Sequence, residues 1–512
     1  MRSFLCTSQE QRQAKNSEVL ETDVVIIGSG IAGLCCGSLL AAYGHRVTVC
    51  ESHYHAGGAA HAFKVKGYTF DSGPSLFSGL SINPSPNPLK HVLNAIGEDV
   101  DWLTYDAWGV FIPEGAFPSP IGPGPFARTL ARFGGPGAQA QWDSLMAYLL
   151  RLSEATMGLP PFALRADVGA ALTLAPYAPA LLRTIASGPA LQGPFSAVME
   201  RQNITDPFIR NWLNLMCFLL QGLPADGTLT AVMAYMVADW YREGVVLDYP
   251  RGGTGALIGA LVRGVEKHEG GRVLTRAHVK SVLVEGGRAA GVRLRDGREV
   301  RASKAVVSNA SIWDTLRLHV HLGVRASDLP PGSIDCHYAH VLDWSVPIDA
   351  PGNVIIVSIP SVLDPSLAPE GCHCVHAYTA GNEPYAVWEG LQEGTEEYER
   401  LKEERAKVLM DAVEKVFPGL EDRLEVRMIG TPRTHERFLR RDRGTYGPEI
   451  VAGKATFAGP GTPLKGLVCT GDSVWPGIGV PAVAASGTLV ANSMVSVWQH
   501  LGMLGKIGFG GV

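Results

Sequence analysis

Val24-Val25-Ile26-Ile27-Gly28-Ser29-Gly30-Ile31-Ala32-Gly33 decides the fold of this chain. Four apolar residues in a row read as a strand buried on both faces, as in a parallel sheet. The glycines that follow open a helix of small and apolar residues, Ile31 to Ala42, which Gly44 ends. Gly28 permits a tight turn, Gly30 lets a pyrophosphate approach the backbone, and Gly33 lets helix and strand pack closely. The unpaired N–H groups of the helix start favour an anion there. Arg46 to Cys50 reads as the next strand, and Glu51 follows it, eighteen residues after Gly33. A carboxylate at that place accepts from ribose hydroxyls. Strand, turn, helix and acid together specify a dinucleotide site.

Two further stretches extend the site. His55-Ala56-Gly57-Gly58-Ala59-Ala60-His61 carries paired glycines just past the ribose-binding acid. They suit FAD, whose second half needs backbone running beside it. Some 440 residues later, Gly466-Leu467-Val468-Cys469-Thr470-Gly471-Asp472 repeats the strand-then-turn pattern, and Trp475-Pro476-Gly477-Ile478-Gly479-Val480-Pro481 opens a small-residue helix, Ala482 to Val490. Asp472 is placed to accept from flavin ribitol hydroxyls. The helix start at Gly479 and Val480 is placed to favour negative charge on a reduced flavin.

The stretches between these motifs divide the chain of 512 residues. The expected fold is α/β: a discontinuous Rossmann-type FAD-binding domain (22–100, 251–330 and 451–502) with an inserted α+β substrate-binding domain (101–250 and 331–450). Residues 1–21 and 503–512 read as tails. Asp296-Gly297 and Gly286-Gly287 between alternating apolar runs signal hairpins within 272–308. Ile209 to Gln221 and Thr228 to Tyr241 read as apolar helices. Glu396 to Val416 reads as a helix capped by Thr395, with a Glu403–Lys407 pair on its outer face.

Composition excludes several classes. The net charge of −5 gives no basic field for nucleic acid. Charged residues at 18%, against about a quarter in ordinary domains, fit a large core and an apolar binding surface. Nine cysteines without a framework of spacings read as thiols in a reducing compartment. The first residues lack the apolar run of a secretory signal. No apolar stretch reaches the ~20 residues of a spanning helix. Val168 to Leu182 comes nearest, and reads as a buried helical hairpin in preference to a membrane-surface patch. Cys372-His373-Cys374-Val375-His376, near Cys336, His337 and His340, reads as a packed strand, and no metal is expected. The sequons Asn203-Ile204-Thr205 and Asn309-Ala310-Ser311 lack a secretory context.

The chain resembles the FAD-dependent carotenoid isomerase and desaturase group of the amine-oxidase-like flavoproteins. The resemblance rests on Gly67-Tyr68-Thr69-Phe70-Asp71-Ser72-Gly73-Pro74-Ser75, Pro250-Arg251-Gly252-Gly253-Thr254, Gly287-Arg288-Ala289-Ala290-Gly291-Val292, Val306-Val307-Ser308-Asn309-Ala310 and Gly444-Thr445-Tyr446-Gly447-Pro448. Within the group, Ile359 to Gly371 is most similar to the prolycopene-isomerase type. The resemblance implies FAD held by Gly28, Gly30, Gly33, Glu51, Gly57, Gly58 and Asp472, with the Val279 backbone on the adenine side. It implies a long polyene substrate drawn from a membrane into an apolar tunnel, and a plastid or other reducing compartment with peripheral membrane contact. The implied reaction is cis-to-trans isomerisation of a poly-cis carotenoid with reduced flavin. Desaturation or saturation of a carotenoid or retinoid, and a non-catalytic flavin- or pigment-binding role, are the alternatives. Trp475 and Tyr446 are candidates for the substrate wall. His61 receives no catalytic role, and no acid or base is legible.

Overall fold

The computed structural model describes residues 19–509 except 123, 125, 311–317, 380–382, 442, 444–449 and 455. Tyr446 and its Gly444–Pro448 motif therefore lie outside the described residues.

The first strand, Val19–Ile27, begins inside the stretch read as a tail, because Val19 to Thr22 pair with Glu299 to Ala302. On its other side it pairs in parallel with Val47–Cys50, which pairs with Arg272–Leu274. Glu299–Ser308 then carries Leu467–Cys469 in parallel at its end and the hairpin Val279–Glu285/Arg288–Leu294 along its side. Seven strands make this sheet among the described residues. Its centre is fully buried at Val24, Val25 and Ile26, which accounts for the unbroken apolar run.

Helices Ile31–Ala42, Thr254–Glu266 and Val480–Ser493 share one apolar core against this sheet. The first and last cross closely at Gly487, where a Cβ would lie 2.4 Å from the Ala32 carbonyl oxygen. The last helix of the chain, Val497–Lys506, starts in a capping box of Ser496 and Gln499 and runs past the expected tail boundary at 503.

A second sheet, largely antiparallel, runs in the order 424–430, 319–325, 372–379, 354–358, 337–341, 107–112, 115–120. Strand His319–Arg325 lies in it, so the chain leaves the first sheet after Ser308 and not at 330. The sequence left that boundary unmarked because both sheets use the same short, β-branched strands. Helix Glu396–Glu414 packs its apolar face on this sheet. Thr395 caps it as expected, by accepting from the Tyr398 N–H. The expected Glu403–Lys407 pair does not form. Lys407 turns to Asp411 and Glu403 to Arg427 of the neighbouring strand, where a guanidinium offers two donors.

Helices Ala138–Met157, Pro207–Gln221 and Thr230–Trp240 build a third core around Trp108, Trp142 and Trp212. The segment 168–185 is helical but not buried: Val168 is 95%, Leu182 68% and Ile185 65% exposed. The hairpin reading is thus overturned. Pro176 and Pro179 stand at the starts of a short 3-10 turn (175–177) and of helix Ala178–Gln192, after the short turn 170–173, so the segment is not one continuous packed stripe.

Candidate functional site

The carboxyl ends of three adjacent parallel strands meet in one crevice, the place where open α/β sheets hold ligands. Ile27, Ser308 and Cys469 stand side by side in register there. The turn after each strand closes on the others through Asn309. Its N–H donates to the Ile27 carbonyl. Its side chain fills the space beside the glycines: a Cβ on Gly30 would lie 2.8 Å from Asn309 Nδ2, and one on Gly471 would lie 2.7 Å from Asn309 Oδ1. The two distant glycine motifs are packed against one amide. Gly33 lies behind the crevice, where a Cβ would fall 2.3 Å from the Gly28 carbonyl oxygen.

From this crevice a cavity of about 690 Å³ opens, lined by Gly28, Gly30, Glu51, Gly57, Gly58, Val279, Asp472, Gly479 and Val480. Nine of the residues picked from sequence thus share one wall. Trp475 is not among the lining residues and is 44% exposed; its N–H donates to the Ala458 carbonyl.

Glu51 is buried and fixed from both sides. Ser29 donates to Oε2 from its N–H at 2.9 Å and its hydroxyl at 2.6 Å, and the His53 N–H donates to Oε1 at 2.7 Å. Asp472 accepts from Arg441 at 2.7 Å, an ion pair the sequence did not suggest. A carboxylate offers about four acceptor sites, so Asp472 keeps capacity for a sugar hydroxyl. Helices Ile31–Ala42 and Val480–Ser493 both start at the cavity without a side-chain cap and without an acidic residue in the first turn. Their orphan N–H groups and positive dipole ends face the same space. Two uncapped helix starts, close-packed glycines and two carboxylates form a cradle that fits a flavin dinucleotide.

The far end of the cavity differs in character. Phe77, Trp108, Leu219, Met236, Trp240 and Ile356 line it. Polar groups interrupt this wall at Ser75, Ser78, Tyr235, Asp239 and His337. His337 is buried, with its Nε2 3.1 Å from the Ser75 hydroxyl, and burial holds its imidazole down to about 4, so it is neutral. Asp239 is buried in the last turn of Thr230–Trp240 and accepts from the Ser78 hydroxyl. Burial pushes its carboxyl above the usual range, against the pull of Ser78 and Arg242. Sequence reasoning missed both. His337 follows Cys336 in an ordinary apolar strand, and Asp239 is a single acid in an apolar helix. Cys372, Cys374 and His376 lie along one strand of the second sheet, and among the described residues no three His, Cys, Asp or Glu side chains converge as a metal set.

A profile of the flavin containing amine oxidoreductases matches residues 31–495. Prolycopene isomerase 1, chloroplastic, of an Oncidium hybrid cultivar is 32% identical across 97% of this chain and 91% of its own. All-trans-retinol 13,14-reductase of Macaca fascicularis is 24% identical across 94% of this chain and 87% of its own. Among solved structures, putrescine oxidase bound to putrescine superposes with a TM-score of 0.58 at 16% identity, covering 93% of this chain and 99% of that one. An oxidoreductase from Methanosarcina mazei gives 0.57 at 18%, covering 91% and 99%.

Proposed function

The chain belongs to the family of flavin-containing amine oxidoreductases, and from that premise we propose that it is an FAD-dependent isomerase of a poly-cis carotenoid such as prolycopene. The observation that carries this reading is a single cavity that starts at a dinucleotide cradle and ends in an aromatic, apolar wall. The full-length similarity to prolycopene isomerases selects the reaction within that frame.

Gly28, Gly30, Gly57 and Gly58 let backbone approach the cofactor, with Gly33 closing the helix onto the strand behind them. Glu51, held by Ser29, takes the ribose. The first turn at Ile31 takes the phosphates, Val279 borders the adenine, and Asp472 with Gly479 and Val480 borders the flavin. Bound reduced flavin supplies electron density and negative charge beside the polyene, which favours positive charge on the conjugated chain. The apolar wall orients the polyene and excludes water, so that charge developing there is not quenched. The helix start at Val480 stabilises negative charge at the flavin end.

The exposed apolar segment 168–185 supports peripheral contact with a lipid surface, from which such a substrate would be drawn. No helix among the described residues is long and apolar enough to cross a membrane. Chloroplastic relatives and eight free described cysteines support a plastid or another reducing compartment. Replacing Leu182 and Ile185 by Asp should abolish co-sedimentation with liposomes while leaving flavin content intact; retained sedimentation would remove the lipid contact.

The decisive experiment incubates flavin-loaded protein with poly-cis-lycopene, with and without prior reduction, and separates products by chromatography with mass detection. New geometry at unchanged mass, only with reduced flavin, is expected. A gain or loss of two hydrogens would instead make the protein a saturase or desaturase, the reading favoured by its similarity to the retinol reductases.

A further inference from the structure

We propose that Asp239 is the proton donor and acceptor for the polyene, a role that rests on the isomerase reading above. The side chain lies on the apolar wall of the cavity, with only 6% of its surface exposed. One oxygen, Oδ2, accepts from Ser78. The other, Oδ1, is buried and makes no close hydrogen bond; its one partner is Arg242, in a long 3.6 Å ion pair. A buried carboxylate with one oxygen only loosely paired is costly, whereas a carboxylic acid facing an apolar ligand is less so.

Its neighbours point the same way. Asp239 occupies the last turn of Thr230–Trp240, where the negative end of the helix dipole disfavours a carboxylate. Asp248, buried on the strand Leu247–Pro250, adds a like charge, and Tyr235, one turn back, contributes another ionisable group. Arg242, part-exposed, and Ser78 are the groups that oppose this. Burial dominates, and the carboxyl titrates above its ordinary range.

The step balances without an oxidant or reductant. The Asp239 proton forms a C–H bond with the π electrons of one cis double bond, leaving a carboxylate and a cation delocalised along the polyene. The former double bond is now single and rotates. The proton then returns to Asp239, the C–H electrons restore the π bond in the trans geometry, and mass is unchanged. His337, which is neutral and hydrogen-bonded to Ser75, does not compete for this role.

The test compares wild type, Asp239→Asn, Asp239→Glu and Ser78→Ala, each as reduced holoenzyme with poly-cis-lycopene. General acid catalysis is worth roughly 10²–10⁴-fold. Asp239→Asn should lose about 100-fold or more in kcat, with flavin stoichiometry and KM within about twofold, and Asp239→Glu should recover part of the loss. Wild-type kcat should fall as pH rises through the carboxyl's raised value and should be lower in D2O. Ser78→Ala removes a bond that favours the carboxylate, so its basic limb should move to higher pH. Asp239→Asn at wild-type rate, or an unchanged limb in Ser78→Ala, overturns the role of Asp239 alone. Loss of flavin or fold in both Asp239 variants makes it a structural residue and equally overturns it. Wild type inactive on the polyene overturns the isomerase reading and this role with it.

Discussion

Single atoms decide whether the cradle closes. A methyl group on Gly33 would meet the Gly28 carbonyl oxygen at 2.3 Å, backbone that has no rotamer to yield. Gly33→Ala should therefore destabilise the protein by about 1–3 kcal/mol, the usual cost of overpacking, and bind flavin weakly. Thermal unfolding and flavin absorbance of the purified protein check both. Gly28→Ala combined with Glu51→Ala should lose flavin altogether, and stoichiometric retention would refute the placement. Residues of this kind are legible in sequence because their signals are local: a glycine at fixed distance from a strand, an acid at the end of the next one. Asn309 shows the opposite. It contacts glycines of both motifs, yet nothing in Ser308-Asn309-Ala310 by itself says so. Asp239 and His337 are silent for the same reason, since the wall they share comes from helix, strand and loop far apart in the chain.

At the scale of elements, one buried acid is tied to the helix that packs on the second sheet. Glu383 has 2% of its side chain exposed and is held by both guanidinium arms of Arg405, from helix Glu396–Glu414, and by the Trp388 indole N–H. Arg405→Ala leaves that carboxylate without its cation. A loss of about 3–5 kcal/mol is expected, read by denaturant unfolding, and the Arg405→Ala/Glu383→Gln double variant should regain part of it. The helix itself was legible from its apolar stripe and the Thr395 cap. Its ion pairs were not, because the Arg427 partner of Glu403 comes from a strand that sequence spacing cannot bring near. The exposed segment 168–185 failed for a related reason. Periodicity marks an apolar stripe, but only tertiary structure shows whether anything covers it.

Across the whole molecule, buried imidazoles set the response to acid. Burial holds His61, His321, His337 and His500 down to about 4 and His340 to about 3. Unfolded imidazoles take protons near 6.5, so between pH 6.5 and 4 the unfolded chain binds more protons than the folded one. Stability should be level above pH 7 and fall steeply below 6.5, which Tm measured across that range will show; a flat Tm down to pH 5 would contradict it. Domain limits at this scale were only partly legible, as the crossing of His319–Arg325 into the second sheet demonstrates. The meeting of the two glycine motifs at Asn309 also has a temporal side. A ribosome adding about 5–20 residues per second needs roughly 20 to 90 s to travel from the first motif to Asp472. For all that interval the nascent chain carries only part of the cradle. Capture by the completed cradle is therefore expected late, and because a ligand that binds only the finished fold stabilises it by mass action, flavin added to the completed chain should raise its resistance to proteolysis.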